Sequence, residues 1–299
     1  MKIILIGAVY SSAAFLNTLL ETRETVSGVI TLDETTGRKR HSDYADLAPI
    51  CSAAGIPCHQ LTSDSDIAAI VETDPPDLLL VWGWSRLIPK AVLKTAKIGC
   101  IGFHPAPLPN GRGRHPLIWS IILGLAETHV NFFELTDTAD EGQILASASV
   151  RLDDTETARS LMEKTIRAAQ TLIPSMFRSI ANKGYFTGKP QSNYSVESWR
   201  KRNPADGRID FRMSATHIDR LVRALSEPYP GADAMHCHGE IAKVWHVETI
   251  EENAALNFTE PGRVVEIIAG APLVRCGDGA LIIRQHDFSS NIERGTWFC

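Results

Sequence analysis

Ile101-Gly-Phe-His104-Pro-Ala-Pro-Leu-Pro-Asn-Gly-Arg-Gly-Arg-His-Pro116, answered downstream by Thr138-Ala-Asp140-Glu-Gly142, decides how this chain is read. The apolar run Ile98 to Phe103 has the length of a short buried strand. His104 stands where that strand ends, and the four prolines and two glycines that follow by Pro116 can only form loop. His129-Val-Asn-Phe-Phe-Glu-Leu135 is β-branched and aromatic enough for a second strand, with Asp140 in the loop after it. Between the two, Pro116-Leu-Ile-Trp-Ser-Ile-Ile-Leu-Gly124 reads as a buried helix with a glycine near its end. The two loops of one such β-loop-α-β unit can bring His104 and Asp140 together in the crevice beyond the strand ends, where open α/β sheets bind ligands.

Upstream, strand and helix signals alternate: Lys2 to Gly7 strand, Ser12 to Glu21 helix, Val26 to Leu32 strand, Ser42 to Ala54 helix, Asp66 to Thr73 helix, Leu78 to Trp82 strand. This is the pattern of a doubly wound, Rossmann-like α/β domain. Gly7 is followed by Ala-Val-Tyr-Ser-Ser rather than by G-x-G-x-x-G, so the glycines that admit a dinucleotide pyrophosphate are missing and no NAD or flavin is expected there. Thr155 to Ala181 carries Leu161, Ile166, Leu172, Ile173, Met176 and Ile180 at helical spacing and is expected to close the first domain. Turn residues in Asn182 to Pro190 and Asn203 to Gly207 place the boundary between a domain over 1–190 and a second over 200–299. The second is expected to hold a helix from Ser214 to Leu225 and short strands at Ile241 to Val247, Gly262 to Ile268 and Ala280 to Arg284, a small β-rich domain resembling an open, OB-like barrel.

At 299 residues, with 44% hydrophobic and 22% charged positions, the composition is that of a globular chain able to bury a substantial core. The formal charge of −5, with basic residues in no run longer than that of Arg38-Lys-Arg40, argues against a broad surface for a polyanion, so a nucleic acid partner is disfavoured. Six scattered cysteines without a C-x-x-C pair are expected to be structural thiols in a reducing, cytoplasmic setting. No stretch has the apolar length of a membrane span. His236-Cys237-His238 invites a metal, but alternation along a strand would send Cys237 to the face opposite the two histidines, and no metal is expected.

These residues resemble the formyltransferases that use formyl-tetrahydrofolate, whose signature is Asn-x-His, then Leu-Pro, a loop bearing glycine and arginine, and an Asp-x-Gly. His104, Leu108-Pro109, Arg112-Gly113-Arg114, Pro116 and Asp140-Glu-Gly142 fit, while Gly102 stands where the family has its asparagine. Met1 to Gly7, Gly55-Ile-Pro57, Asp77 to Trp82 and Ile88-Pro89 also fall in the family's order. Arg202 to Phe211 and Leu221 to Ala232 look like segments of the branch that formylates nucleotide-linked amino sugars.

The resemblance implies that formyl-tetrahydrofolate is the co-substrate, with no metal. It implies that His104 polarises the formyl carbonyl and handles the proton, and that Asp140 orients its ring. The family asparagine would donate to the oxyanion, and losing such a donor costs about 2.7–4 kcal/mol. Gly102 has no side chain to give. Arg86, Leu87, Ile88, Leu135, Thr138 and Ala139 would line the folate pocket. Arg112 and Arg114 would meet the acceptor's pyrophosphate, with Tyr194 or Trp199 stacking on a nucleobase and Arg202 assisting from the second domain. Trp82 and Trp84 read as packing.

The expected acceptor is the amine of a dTDP-, UDP- or GDP-linked amino sugar used in surface (lipopolysaccharide) polysaccharide synthesis, and the resemblance suggests a homodimer. Two alternatives stand beside it. One is methionyl-tRNA formyltransferase. The other is a weak or inactive relative that binds its ligands without turnover, because of Gly102.

Overall fold

A computed structural model describes residues 1–22, 24–192, 196–250, 256 and 258–299. It forms two compact units: 1–116, 127–151 and 162–200 make the first, and 117–126, 152–161 and 201–299 the second.

The first part of the chain runs β1 (Ile3–Ile6), α1 (Tyr10–Glu21), β2 (Val26–Leu32), α2 (Glu34–Arg40), α3 (Ala48–Ala54), β3 (Cys58–Leu61), α4 (Ile67–Thr73), β4 (Leu78–Val81), α5 (Lys90–Leu93), β5 (Gly99–His104), β6 (Arg112–Gly113), α6 (Pro116–Ile122), β7 (Glu127–Glu134), β8 (Ile144–Arg151), α7 (Ala158–Lys183) and β9 (Ser198–Trp199). Seven strands form one sheet in the order β3-β2-β1-β4-β5-β7-β8. β1 to β5 are mutually parallel, and β7 and β8 add antiparallel at one edge. Every residue of β1 and of β4 is buried, which is why both read as unbroken apolar runs rather than as alternation. The order reverses beside β1, the place at which doubly wound sheets open a crevice at their strand ends. Ser12 ties α1 to that edge, its hydroxyl donating to Trp82 O at 2.6 Å.

The expected helix over Ser42 to Ala54 begins only at Ala48. Pro49 sits in its first turn, where the missing N–H costs no intrahelical hydrogen bond, so the helix starts just before it. A separate helix, α2, lies upstream, capped by Asp33, whose carboxylate accepts from Thr36 N at 2.8 Å.

The second unit adds α8 (Ala215–Ala224), β10 (Ala232–Met235), β11 (Ile241–Ile250), β12 (Val264–Ile268), β13 (Ala271–Arg275) and β14 (Ala280–His286). Ser214 caps α8, accepting from His217 N. The strands form a five-stranded antiparallel sheet in the order β10-β11-β14-β13-β12. Ile218, Leu221 and Val222 of α8 are buried, as are Val244, Val247, Leu281 and Ile283 of the sheet.

One expectation is overturned here. β10 ends at Met235, and residues 236–239 turn back, with Gly239 N donating to His236 O at 2.7 Å. Strand alternation therefore does not separate Cys237 from its two histidines. All three offer donor atoms within 4.8 Å of one another.

Among the described residues, all six cysteines are free, and no helix is long and apolar enough to cross a membrane.

Candidate active site

His104 ends β5 directly opposite Asn131 of β7. Its side chain is buried, with the residue 6% exposed. Nε2 lies 2.8 Å from Gly111 O. A carbonyl oxygen can only accept, so Nε2 carries the proton. Nδ1 then faces Asp140, whose Oδ2 is 4.0 Å away, beyond hydrogen-bond length. That carboxylate oxygen instead accepts from Gly113 N at 3.0 Å. The close contact that orients the ring is thus Gly111, not Asp140.

Asn131, which the sequence reading passed over, holds the loop that leaves His104. It is buried within an apolar strand, and its amide donates to His104 O at 3.2 Å and to Ala106 O at 2.6 Å. Its Oδ1 accepts from Ser147 on β8 at 2.8 Å. A fully satisfied amide at this depth fixes the backbone around it. A lone asparagine between Val130 and Phe132 was the available signal, since a buried polar side chain in a strand needs partners.

Gly102 pairs across the sheet with Phe133. A Cβ at position 102 would lie 2.7 Å from Phe133 Cζ and 2.8 Å from Leu135 Cδ2, so two apolar side chains fill the space over the glycine. Asp140 adopts φ +58°, a left-handed conformation that aspartate tolerates better than most residues. Two residues on, a Cβ at Gly142 would meet Glu134 O at 1.8 Å, which restricts that position to glycine.

Arg112 is turned inward. One guanidinium nitrogen lies 3.1 Å from Glu141 Oε1 and the other 3.1 Å from Gln191 Oε1. Gln191 completes the tie by donating to Asp140 O at 2.9 Å and Gly142 O at 2.7 Å. Beside this network a cavity of about 340 Å³ is lined by Arg112, Gly113, Ala139, Glu141, Val196 and Ser198. Trp199, in β9 alongside β6, lays its indole on Gly111.

Arg114 takes a different course and donates to Ser85 O at 2.8 Å. Ser85 Oγ lies 3.4 Å from His41 Nε2. Burial first, then the charges of Arg40 and Arg114, push the His41 imidazole down to about 4. Arg40 and Arg86 share one carboxylate, Asp64, at 2.7 and 3.0 Å. Arg114 and a neutral imidazole thus meet at Ser85, while Arg40 and Arg86 meet at Asp64.

The remaining expected folate residues lie nearby in the chain but differ in setting. Leu87 is 77% exposed. Ile88 and Leu135 pack, half-buried, with Trp84 against a core that includes Ile6, Leu79 and Val81. Thr138 is exposed, its carbonyl accepting from Thr136 Oγ1 at 3.1 Å. Arg202 falls in the second unit, where it donates to Asp206 O at 2.6 Å and lies 6.0 Å from the centre of the Trp119 ring. Tyr194 lies outside the described residues.

Residues 1–177 match the family described as Formyl transferase, and residues 201–295 match Formyl transferase, C-terminal domain. The methionyl-tRNA formyltransferase of Alkaliphilus oremlandii is 28% identical over 299 residues, covering 99% of this chain and 94% of that one. Among solved structures, an N-formyltransferase from Helicobacter canadensis, in complex with folinic acid and dTDP-3-aminofucose, superposes with a TM-score of 0.70 at 17% identity, covering 96% of this chain and 100% of that one. HypX from Aquifex aeolicus, in complex with tetrahydrofolic acid, gives 0.69 at 20% identity; 97% of this chain is covered, but only 44% of the HypX chain. At these identities the two structures speak to the fold.

Proposed function

Because this chain belongs to the formyl transferase family in both its N-terminal and its C-terminal part, we propose that it moves a formyl group from formyl-tetrahydrofolate to the amine of a nucleotide-linked amino sugar. Formyl transfer is the family's chemistry. The choice of acceptor rests on charge: residues 201–299 carry eleven Lys and Arg against fourteen Asp and Glu, the wrong sign for a domain that must grip RNA.

His104 acts as the base. With its Nε2 proton held by Gly111 O, Nδ1 presents a lone pair 4.0 Å from a carboxylate oxygen, and an amine donating to both fits that gap. As the amine nitrogen bonds the formyl carbon, its proton passes to Nδ1. The imidazolium then supports the oxyanion and returns the proton to the folate nitrogen as the old carbon–nitrogen bond breaks. Position 102 supplies no donor, so the protonated ring is the side chain on which the oxyanion depends.

Exposed Leu87, with half-buried Ile88 and Leu135, offers an apolar wall suited to a flat pterin, next to Thr138 and Ala139. Arg114, with Arg40 and Arg86 at Asp64, offers guanidinium groups that suit the acceptor's diphosphate. Arg112, held by Glu141 and Gln191, positions loops instead.

A second reading, methionyl-tRNA as acceptor, is favoured by the 28% identical relative. The test is to supply formyl-tetrahydrofolate with dTDP-, UDP- and GDP-amino sugars, and separately with methionyl-tRNA, while following tetrahydrofolate release and product mass. Gain of one formyl group on a sugar nucleotide bears out the proposal. Formylation of the tRNA alone overturns it, and folate binding with silence on every acceptor points to a protein that binds without turnover.

A further inference from the structure

We infer that the turn His236-Cys237-His238 is a binding site for a divalent metal ion of the zinc type. The site lies in the second unit and is independent of the formyl transfer chemistry.

The donor set comes first. Two imidazoles and a thiol suit borderline and soft cations and exclude magnesium or calcium, which take oxygen. The spacing agrees. Zinc bonds nitrogen at about 2.0–2.1 Å and thiolate sulfur at about 2.3 Å, so in tetrahedral geometry the two donors lie about 3.6 Å apart. His236 Nε2 and Cys237 Sγ are 3.7 Å apart. The whole set of donor atoms falls within 4.8 Å, and His238 is on the exposed side of the turn with its ring 5.1 Å from that of His236, where a small swing closes the site.

The state of His236 is the second observation. The residue is fully buried, against the rings of Phe298 and Phe288. Among the described residues, the only polar atom within bonding reach of its two ring nitrogens is Cys237 Sγ. A buried imidazole left with a weak sulfur partner lacks the hydrogen bonds such a group ordinarily finds.

The backbone beneath the donors is preformed. Cys237 N donates to Trp297 O at 2.8 Å, His236 bridges Phe298, and Cys299 N donates to Met235 O at 2.8 Å. A metal held here would clip the β10–β11 connection beside the C-terminal segment, with its fourth position left to water.

The full-length chain, stripped with chelator, is titrated with Co²⁺ and then Zn²⁺. A thiolate-to-cobalt charge-transfer band that is bleached by Zn²⁺ is expected. It should vanish in Cys237→Ser, weaken in His238→Ala and persist in Cys299→Ser; none of these replaces a buried aromatic contact, and each variant's fold is checked by circular dichroism. Absence of the band in the wild-type chain, or its survival in Cys237→Ser, overturns the inference.

Discussion

Phe133 stands over Gly102, its Cζ 2.7 Å from where a side chain at 102 would begin. The position that offers no side-chain donor is therefore filled from the neighbouring strand, an aromatic covering a cross-strand glycine. Gly102→Asn should not restore a donor to the site. It should overpack β5 and β7 and destabilise the fold by about 1–3 kcal/mol, with no gain in turnover. Thermal unfolding together with a turnover assay checks this, and an asparagine variant that is faster and equally stable would contradict it.

His104→Ala should lower kcat by roughly 10²–10⁴-fold, the range for a proton-transfer group, with folate affinity unchanged. Asp140→Asn should also lower kcat, because its Oδ2 accepts from Gly113 N and forms one wall of the gap for the amine. Steady-state kinetics with a separate folate binding titration distinguish these effects from loss of binding. A near-normal kcat in His104→Ala would remove the assignment.

Asn131→Ala leaves the carbonyls of His104 and Ala106 without their amide donor and should cost about 1–3 kcal/mol of stability. As a positioning residue it should lower kcat and leave the KM for folate near its original value. A variant that melts lower but turns over normally would show that the amide serves stability alone.

His41 makes stability fall in mild acid. In the unfolded chain an imidazole takes its proton near pH 6.5, whereas in the folded chain His41 waits until about 4. Between these values the unfolded state binds more protons. The stabilisation is therefore complete above about pH 6.5 and is lost as the pH falls towards 4. Urea unfolding of the wild type and His41→Gln at several pH values should show a shallower acid slope in the variant; identical slopes would place the acid sensitivity elsewhere.

The doubly wound domain is legible because β1, β4 and β5 are buried on both faces and read as short apolar runs. His104 is legible because proline and glycine crowd the loop after it. β8 is harder to see: Ile144-Leu-Ala-Ser-Ala-Ser-Val-Arg151 alternates only between small residues, and its exposed edge gives a weak pattern. The filling of the Gly102 site cannot be read locally, since it depends on the antiparallel register that sets Phe133 opposite it. Segments 117–126 and 152–161 group with the second unit although they lie between elements of the first, a property of contacts rather than of sequence order. The His236 turn shows the reverse error, a periodic rule carried past the end of its strand at Met235.

Gln191 has a consequence for how this site can change. A single amide fixes the Asp140–Gly142 loop through two carbonyls and the Arg112 loop through one guanidinium. The two loops thereby share one register, like two pages held by one pin. An insertion or deletion in either should be tolerated only with a compensating change in the other or in the segment after α7, so variation in what the site accepts is channelled into single side chains rather than loop length.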